Sequence, residues 1–321
     1  MATPLTPAEA MRCAERLRTN VERAVRGKPE VIRRAIETLI AGGHLLLEDV
    51  PGVGKTTLAR ALARSIDARF RRIQFTSDLL PSDVLGAAVP DPRDAAGTFV
   101  FQPGPIFANI VLADEINRAS PKVQSALLEC MAEGSVTVDG VTHTLAEPFF
   151  VVATQNPLEH YGAHALPESQ LDRFLMRLGI GYPDADDEAA VLRDDPAASE
   201  LPHLEPVLTL QTVVSMREAS LRIKFDDSLV AYLLAIVQAT RDHEAFAYGV
   251  SPRGAIALRR AAQARALAKG RDFAIPDDVR DLAVDVLAHR VLPDARTAPQ
   301  HDGEETAWII REILNQVPVP L

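Results

Sequence analysis

The residues best equipped for chemistry fall in one stretch, Pro51-Gly52-Val53-Gly54-Lys55-Thr56-Thr57. Glycines at 52 and 54 leave the backbone free to curl so that successive N–H groups surround a phosphate. Lys55 is placed to reach the outer phosphates of a nucleotide, and the Thr56 hydroxyl is a Mg²⁺ ligand. Such a loop needs a strand before it and a helix after it. Leu45 to Leu47 form the short apolar run of a buried strand, and Leu58, Leu62 and Ile66 recur at helical spacing behind Lys55. The N-terminus of that helix adds partial positive charge to the site. Asp49 stands where the pattern G-x-x-x-x-G-K-[ST] has its first glycine. Taken alone, the stretch also reads as a Gly-rich turn joining a strand to a helix.

A second constellation follows about sixty residues on. Asn109-Ile110-Val111-Leu112-Ala113-Asp114-Glu115 is an apolar run ending in two acids. A buried strand of a doubly wound sheet delivers carboxylates in this way to the edge where ligands bind. Asp114 suits a Walker B role, holding Mg²⁺, and Glu115 suits the base that polarises an attacking water. Solvated acids capping a strand are the bland reading, which the loop upstream at this spacing disfavours.

The elements that must carry these groups are readable from periodicity. Amphipathic helices are expected over about 8–24 and 30–40, the second ended by Gly42-Gly43. Phe70 to Phe75 reads as a second strand. Residues 76–107 are loop-like, with the alternation Thr98-Phe99-Val100-Phe101 favouring a hairpin. Ser120-Pro121 is a helix start with Ser as the cap, and Gly134 a stop. Asp139-Gly140 between β-prone arms predicts a second hairpin. Pro148 to Asn156 is another buried strand, and a last strand is expected at about 175–181. Beyond Tyr182-Pro183 the chain turns helical, clearest at 229–239, 254–268, 277–288 and 306–314. The expected fold is α/β, a P-loop αβα sandwich with a parallel five-stranded sheet over 1–182, and a small all-α domain over 183–321.

Composition narrows the class. The 321 residues are 47% hydrophobic and 24% charged, which suits a globular chain of two domains. The sequence shows no apolar run near the ~20 residues of a membrane span, and the N-terminal residues lack signal-peptide features. Two cysteines, Cys13 and Cys130, make no disulfide framework, so a cytoplasmic location is expected. A net charge of −10 argues against nucleic acid or anionic membrane as main partner. His143, His160 and His164 have no metal-ligand company in the sequence and read as polar loop residues.

The chain resembles AAA+ ATPases of the MoxR type. The matching residues are Glu48-Asp49-Val50-Pro51-Gly52-Val53-Gly54-Lys55-Thr56, Gly104-Pro105-Ile106-Phe107-Ala108-Asn109, Leu112-Ala113-Asp114-Glu115-Ile116-Asn117-Arg118-Ala119, Ala153-Thr154-Gln155-Asn156-Pro157 and Leu171-Asp172-Arg173-Phe174. They span about residue 25 onward in the right order, and Asp49 in place of Gly is usual in such proteins. The resemblance implies ATP and Mg²⁺ as cofactors. Asn156 resembles sensor 1 and Arg173 an arginine finger pointing at a neighbouring subunit's nucleotide. Arg253 resembles a sensor 2 arginine, acting in its own subunit or the next. Residues 83–105 resemble the helix-2 insert and 134–145 the pre-sensor-1 hairpin. Gly27-Lys28 stands where relatives often carry Gly-Gln near the adenine.

From the resemblance the expected activity is ATP hydrolysis in a homo-oligomeric ring, a hexamer by family analogy, coupled to chaperone-like maturation or remodelling of a protein client. A partner with a von Willebrand factor A domain is implied by the same resemblance. The competing readings are a metal-chelatase motor subunit, a DNA-associated motor and a nucleotide-gated scaffold without turnover. The acidic balance disfavours the DNA motor; intact Glu115, Asn156 and Arg173 disfavour the scaffold.

Overall fold

The computed structural model describes residues 5–91, 98–157, 164, 166–294 and 303–320. Helix α1 (Pro7–Ala24) opens on a reciprocal cap: Thr6 Oγ1 accepts the Glu9 N–H, and the Glu9 carboxylate accepts the Thr6 N–H at 2.9 Å. α2 (Pro29–Ile40), β1 (Leu45–Glu48), α3 (Lys55–Ser65), β2 (Phe70–Gln74) and α4 (Pro81–Leu85) follow. Next come the hairpin β3 (Gly86–Pro90) and β4 (Phe99–Pro103), then β5 (Ile110–Asp114) and α5 (Pro121–Glu133). A second hairpin, β6 (Ser135–Val138) and β7 (Val141–Thr144), turns at Asp139-Gly140, both at positive φ. β8 (Phe150–Gln155), α6 (Glu168–Leu171) and β9 (Met176–Leu178) complete the N-terminal half.

The five central strands form one parallel sheet in the order β2-β5-β8-β1-β9. Alternating side chains divide between its two faces. Leu45, Leu47, Ile110, Leu112, Phe150 and Val152 join one core with α1, α2 and α3. Leu46, Val111, Ala113, Val151 and Ala153 join the other, beneath α4 and α5. This is the αβα sandwich the sequence predicts. β1 lies between β8 and β9, so the loop that follows it leaves an interior strand of the sheet with strand ends on either side.

The C-terminal half contains α7 (Ala185–Asp194), α8 (Pro196–Ser199), α9 (Leu210–Ser220), α10 (Asp227–Asp242), α11 (Pro252–Ala268), α12 (Pro276–Leu287) and α13 (Gly303–Gln316). Asp184, Thr209, Asp226 and Ser251 cap four of them by accepting a backbone N–H of the first turn. Ser120, by contrast, caps α5 in position only, with no side-chain bond; Pro121 at the first helical position already suits the turn. A short antiparallel ribbon, β10 (Phe246–Tyr248) with β11 (Leu292–Pro293), is added to the helices. The apolar core of the α1–α3 face continues without a break into these helices.

The expected insert over 83–105 is α4 plus the first hairpin, with residues 92–97 outside the described residues. Phe99 and Phe101 part company there. Phe101 lies edge-on to Phe107, centroids 5.4 Å apart, and stacks on His143 of β7 at 3.9 Å, so the two hairpins touch. Phe99 is 68% exposed. Phe101→Ser is therefore expected to cost about 1–3 kcal/mol, and Phe99→Ser to stay within about 0.5 kcal/mol. Equal losses in urea unfolding would contradict that division. His160 lies outside the described residues.

His44 precedes β1 and is buried between layers. Val151 donates its N–H to Nδ1 at 3.1 Å, and Nε2 faces the Met131 carbonyl at 3.0 Å. The neutral ring protonated on Nε2 satisfies both, and burial pulls its pKa down to about 4 from 6.5. Between these values the unfolded chain holds the extra proton and the folded one does not, so stability falls as pH drops through that window. The loss is about 2 kcal/mol by about pH 5, at about 1.36 kcal/mol per unit. Buried His289 is shifted in the same direction. Urea midpoints at about pH 7.5 and pH 5 should show this slope, and His44→Asn should flatten it; an unchanged slope in the variant would contradict the assignment.

Candidate active site

Gly52 and Gly54 adopt φ of 88° and 97°, the left-handed region that disfavours a side chain, and Gly54 is the N-cap of α3. The loop N–H groups thus lead directly into a helix N-terminus. Lys55 Nζ donates to the carbonyl of Asp49. The Asp49 carboxylate, the one departure from the motif, accepts three backbone N–H groups: Val50 at 2.8 Å, Ile180 at 2.8 Å and Gly181 at 2.6 Å. It ties the root of the loop to the segment after β9, a task no glycine performs. Beside it Lys28 donates to the Tyr182 carbonyl at 2.7 Å.

Pro51, Gly52, Gly54, Lys55, Thr56, Thr57, Asp114, Glu115 and Asn156 line one cleft of about 330 Å³. Val53 is instead partly buried against the sheet-face core and is not among the residues lining the cleft. Arg72 lines the cleft too, and nothing in the sequence reading singled it out. Its Nη2 and Nε donate to Asp114 Oδ2 at 2.6 and 3.0 Å, and Nη2 also to Gln74 Oε1 at 2.7 Å. Gln74 Nε2 in turn donates to Glu115 Oε2 at 2.9 Å. The overlooked signal was β2 itself: its parallel register sets Gln74 opposite Asp114, and its i, i+2 alternation puts Arg72 and Gln74 on one face.

Behind the acids, Thr154 Oγ1 donates to Asp114 Oδ1 at 2.6 Å and accepts the Glu115 N–H at 2.8 Å. Glu115 holds φ 57°, ψ 52°, left-handed for a residue with a side chain, which costs about 1–3 kcal/mol. Strain of that kind, held by surrounding bonds, is common where a side chain is aimed at chemistry. Arg118 Nε lies 3.2 Å from the same Glu115 oxygen that Gln74 reaches. The Thr56 hydroxyl and the Asp114 carboxylate are hard oxygen donors in one cleft, the set that Mg²⁺ takes with phosphate.

Arg173 and Arg253 are not among the residues lining this cleft. With Asp172, Arg260 and Arg290 they line a separate depression of about 290 Å³. Arg173 Nη1 donates to the Leu128 carbonyl of α5 at 2.9 Å. Arg253, at the start of α11 and 65% exposed, lies 3.7 Å from Asp172 Oδ2. Asp172 is the single carboxylate among four guanidinium groups there.

Residues 44–176 match the model of the ATPase family associated with various cellular activities (AAA), and residues 238–313 match the AAA lid domain. The uncharacterized protein YeaC of Bacillus subtilis strain 168 is 50% identical over 94% of this chain and 93% of its own length. Chaperone MoxR1 of Mycobacterium tuberculosis is 38% identical over 95% of this chain and 82% of its own. A crystal structure of a candidate ATPase from Cytophaga hutchinsonii superposes with a TM-score of 0.89 at 36% identity, covering 98% of this chain and 97% of that one. A P-loop after β1, paired acids at the end of β5 and a helical lid thus define an AAA+ ATPase. The chain belongs to the MoxR-type family of AAA+ ATPases.

Proposed function

We propose that the protein works as a homo-oligomeric ring, in which ATP lies between subunits and its hydrolysis remodels or matures a protein client. Residues 1–182 form the nucleotide-binding core in this reading and 183–321 the lid. The carrying observation is the separation of the two sites: the phosphate cleft and the depression lined by Arg173 and Arg253 share no lining residue. Arginines resembling the finger and sensor 2 thus line a depression apart from their own phosphate cleft, a placement that suits the phosphates of a neighbour. A hexamer is the family precedent.

Within a subunit, the loop from Pro51 to Thr57 cradles the phosphates and Lys55 neutralises the outer ones. Thr56 and Asp114 would hold Mg²⁺, which when bound would supply charge neutralisation on the phosphate oxygens. Asp114 is available for that role once Arg72 releases its Oδ2. Glu115, aimed by its backbone and by Gln74, takes a proton from the attacking water, and Asn156 helps to place that water. The neighbour's Arg173 offsets the charge that develops on the transferred group.

The client role rests on two supports: one relative is named a chaperone, and the touching hairpins present exposed Phe99, Val100 and Val141 without taking part in the phosphate site. A protein with a von Willebrand factor A domain is the partner class the family resemblance implies. Among the described residues no helix is long and apolar enough to cross a membrane, and no group of three potential ligands for a metal ion occurs. Sedimentation of the Glu115→Gln protein with saturating ATP tests the ring. A closed oligomer is expected; a monomer with ATP bound would overturn the assembly.

A further inference from the structure

We propose that Arg290 is a positioning residue for Arg173, fixing the finger-bearing segment to the lid so that the two move as one piece. The inference rests on the reading that Arg173 serves a neighbouring subunit's nucleotide. Arg290 follows the end of α12, and its side chain is 2% exposed. It crosses to a segment 118 residues away in sequence. Nε donates to Asp172 Oδ1 at 2.8 Å, Nη1 to the Leu175 carbonyl at 3.1 Å, and Nη2 to the carbonyls of Asp172, at 3.3 Å, and Phe174. Nη1 also bonds the Val286 carbonyl within its own helix end. His289 Nε2 lies 3.0 Å from the same Phe174 carbonyl.

These contacts fall on both sides of Arg173 and leave its side chain alone. The planar guanidinium, with five donors in a fixed fork, can hold several carbonyls in one orientation; an ammonium cannot. Burial pulls the Arg290 pKa down to about 10, so the group is still cationic at neutral pH beside Asp172. The same stem supports the sensor 2-like arginine. A Cβ on Gly254 would come within 3.0 Å of Arg290 Cδ, so the first turn of α11, which bears Arg253, is packed directly on it. Arg253 and Arg290 reach the two oxygens of one carboxylate, Asp172. A lid displacement would therefore carry both the Arg253 and the Arg173 backbone toward or away from the neighbour.

The test compares Arg290→Lys and Arg290→Met with wild type for ATP affinity, kcat, KM and assembly. Arg290→Lys keeps a cation beside Asp172 but loses the fork to the carbonyls; it decides the matter if Arg290→Met does not fold. ATP affinity, KM and assembly should be unchanged, because the subunit's own phosphate cleft is untouched, while kcat falls by about 10²-fold, the usual effect of a displacement near 1 Å. Mixed with Glu115→Gln subunits, the Arg290 variants should regain turnover, since their intact pockets then meet correctly placed fingers. Mixed with Arg173→Ala subunits they should regain none. Wild-type kcat in Arg290→Lys, or slow turnover that Glu115→Gln subunits do not rescue, would overturn the proposal. Arg173→Ala is the control: wild-type turnover there would mean that the trans reading itself fails, whereas a slow Arg173→Ala beside a fast Arg290→Lys would sink this inference alone.

Discussion

Arg173→Ala is expected to bind ATP with wild-type affinity and to hydrolyse it about 10³–10⁵ times more slowly, the range an arginine finger supplies. The physical reason is that the cation acts where charge develops during transfer and contributes little while ATP is merely bound. Its guanidinium donates to the Leu128 carbonyl, and its substitution leaves the Lys55 and Asp114 surroundings intact. The variant should fold, because the hydrogen bond to Leu128 is made by a partly exposed side chain and is worth about 1 kcal/mol. Nucleotide titration and steady-state turnover separate the two quantities. A parallel loss of affinity would place Arg173 in ground-state binding, and an unchanged kcat would remove it from the reaction.

The second large effect divides Lys55 from Glu115. Lys55→Ala should weaken ATP binding by at least about 100-fold, since two charge-assisted bonds to phosphate are worth about 1.5–3 kcal/mol each. Glu115→Gln should bind ATP normally and lose about 10²–10⁴ in kcat, the share of a positioned base. The amide is nearly isosteric, so the contacts to Gln74 and Arg118 are altered in charge without opening the cleft. Equal nucleotide affinity in wild type and Lys55→Ala would contradict the phosphate role. Hydrolysis by Glu115→Gln at the wild-type rate would assign the base elsewhere.

Much of this architecture was legible in the chain because it is encoded locally. Gly52 and Gly54 advertise positive φ, Asp139-Gly140 names its own turn, and the alternation of Leu45, Leu46 and Leu47 between two cores follows from a strand's period of two. Whatever depends on register or long-range contact was hidden. Asp49 looked like a flaw in a motif until its carboxylate met Ile180 and Gly181, 131 and 132 residues on. Arg72 is one of two adjacent arginines on a short strand, and only pairing with β5 sets it on Asp114. Phe99 and Phe101 share a hairpin face by alternation, yet one is covered and the other is not, because His143 comes from a different hairpin. Arg173 and Arg253 were suspected from resemblance; their grouping around Asp172 came only with the folded chain.

The most direct test of the ring account is turnover in mixtures of Arg173→Ala and Glu115→Gln subunits. Each parent alone should be nearly inactive. In mixed rings a pocket with intact Glu115 faces an intact Arg173 at some interfaces, so turnover should rise well above that of either parent and depend on their ratio. No recovery, with mixing verified by labelled subunits, would contradict catalysis shared between neighbours.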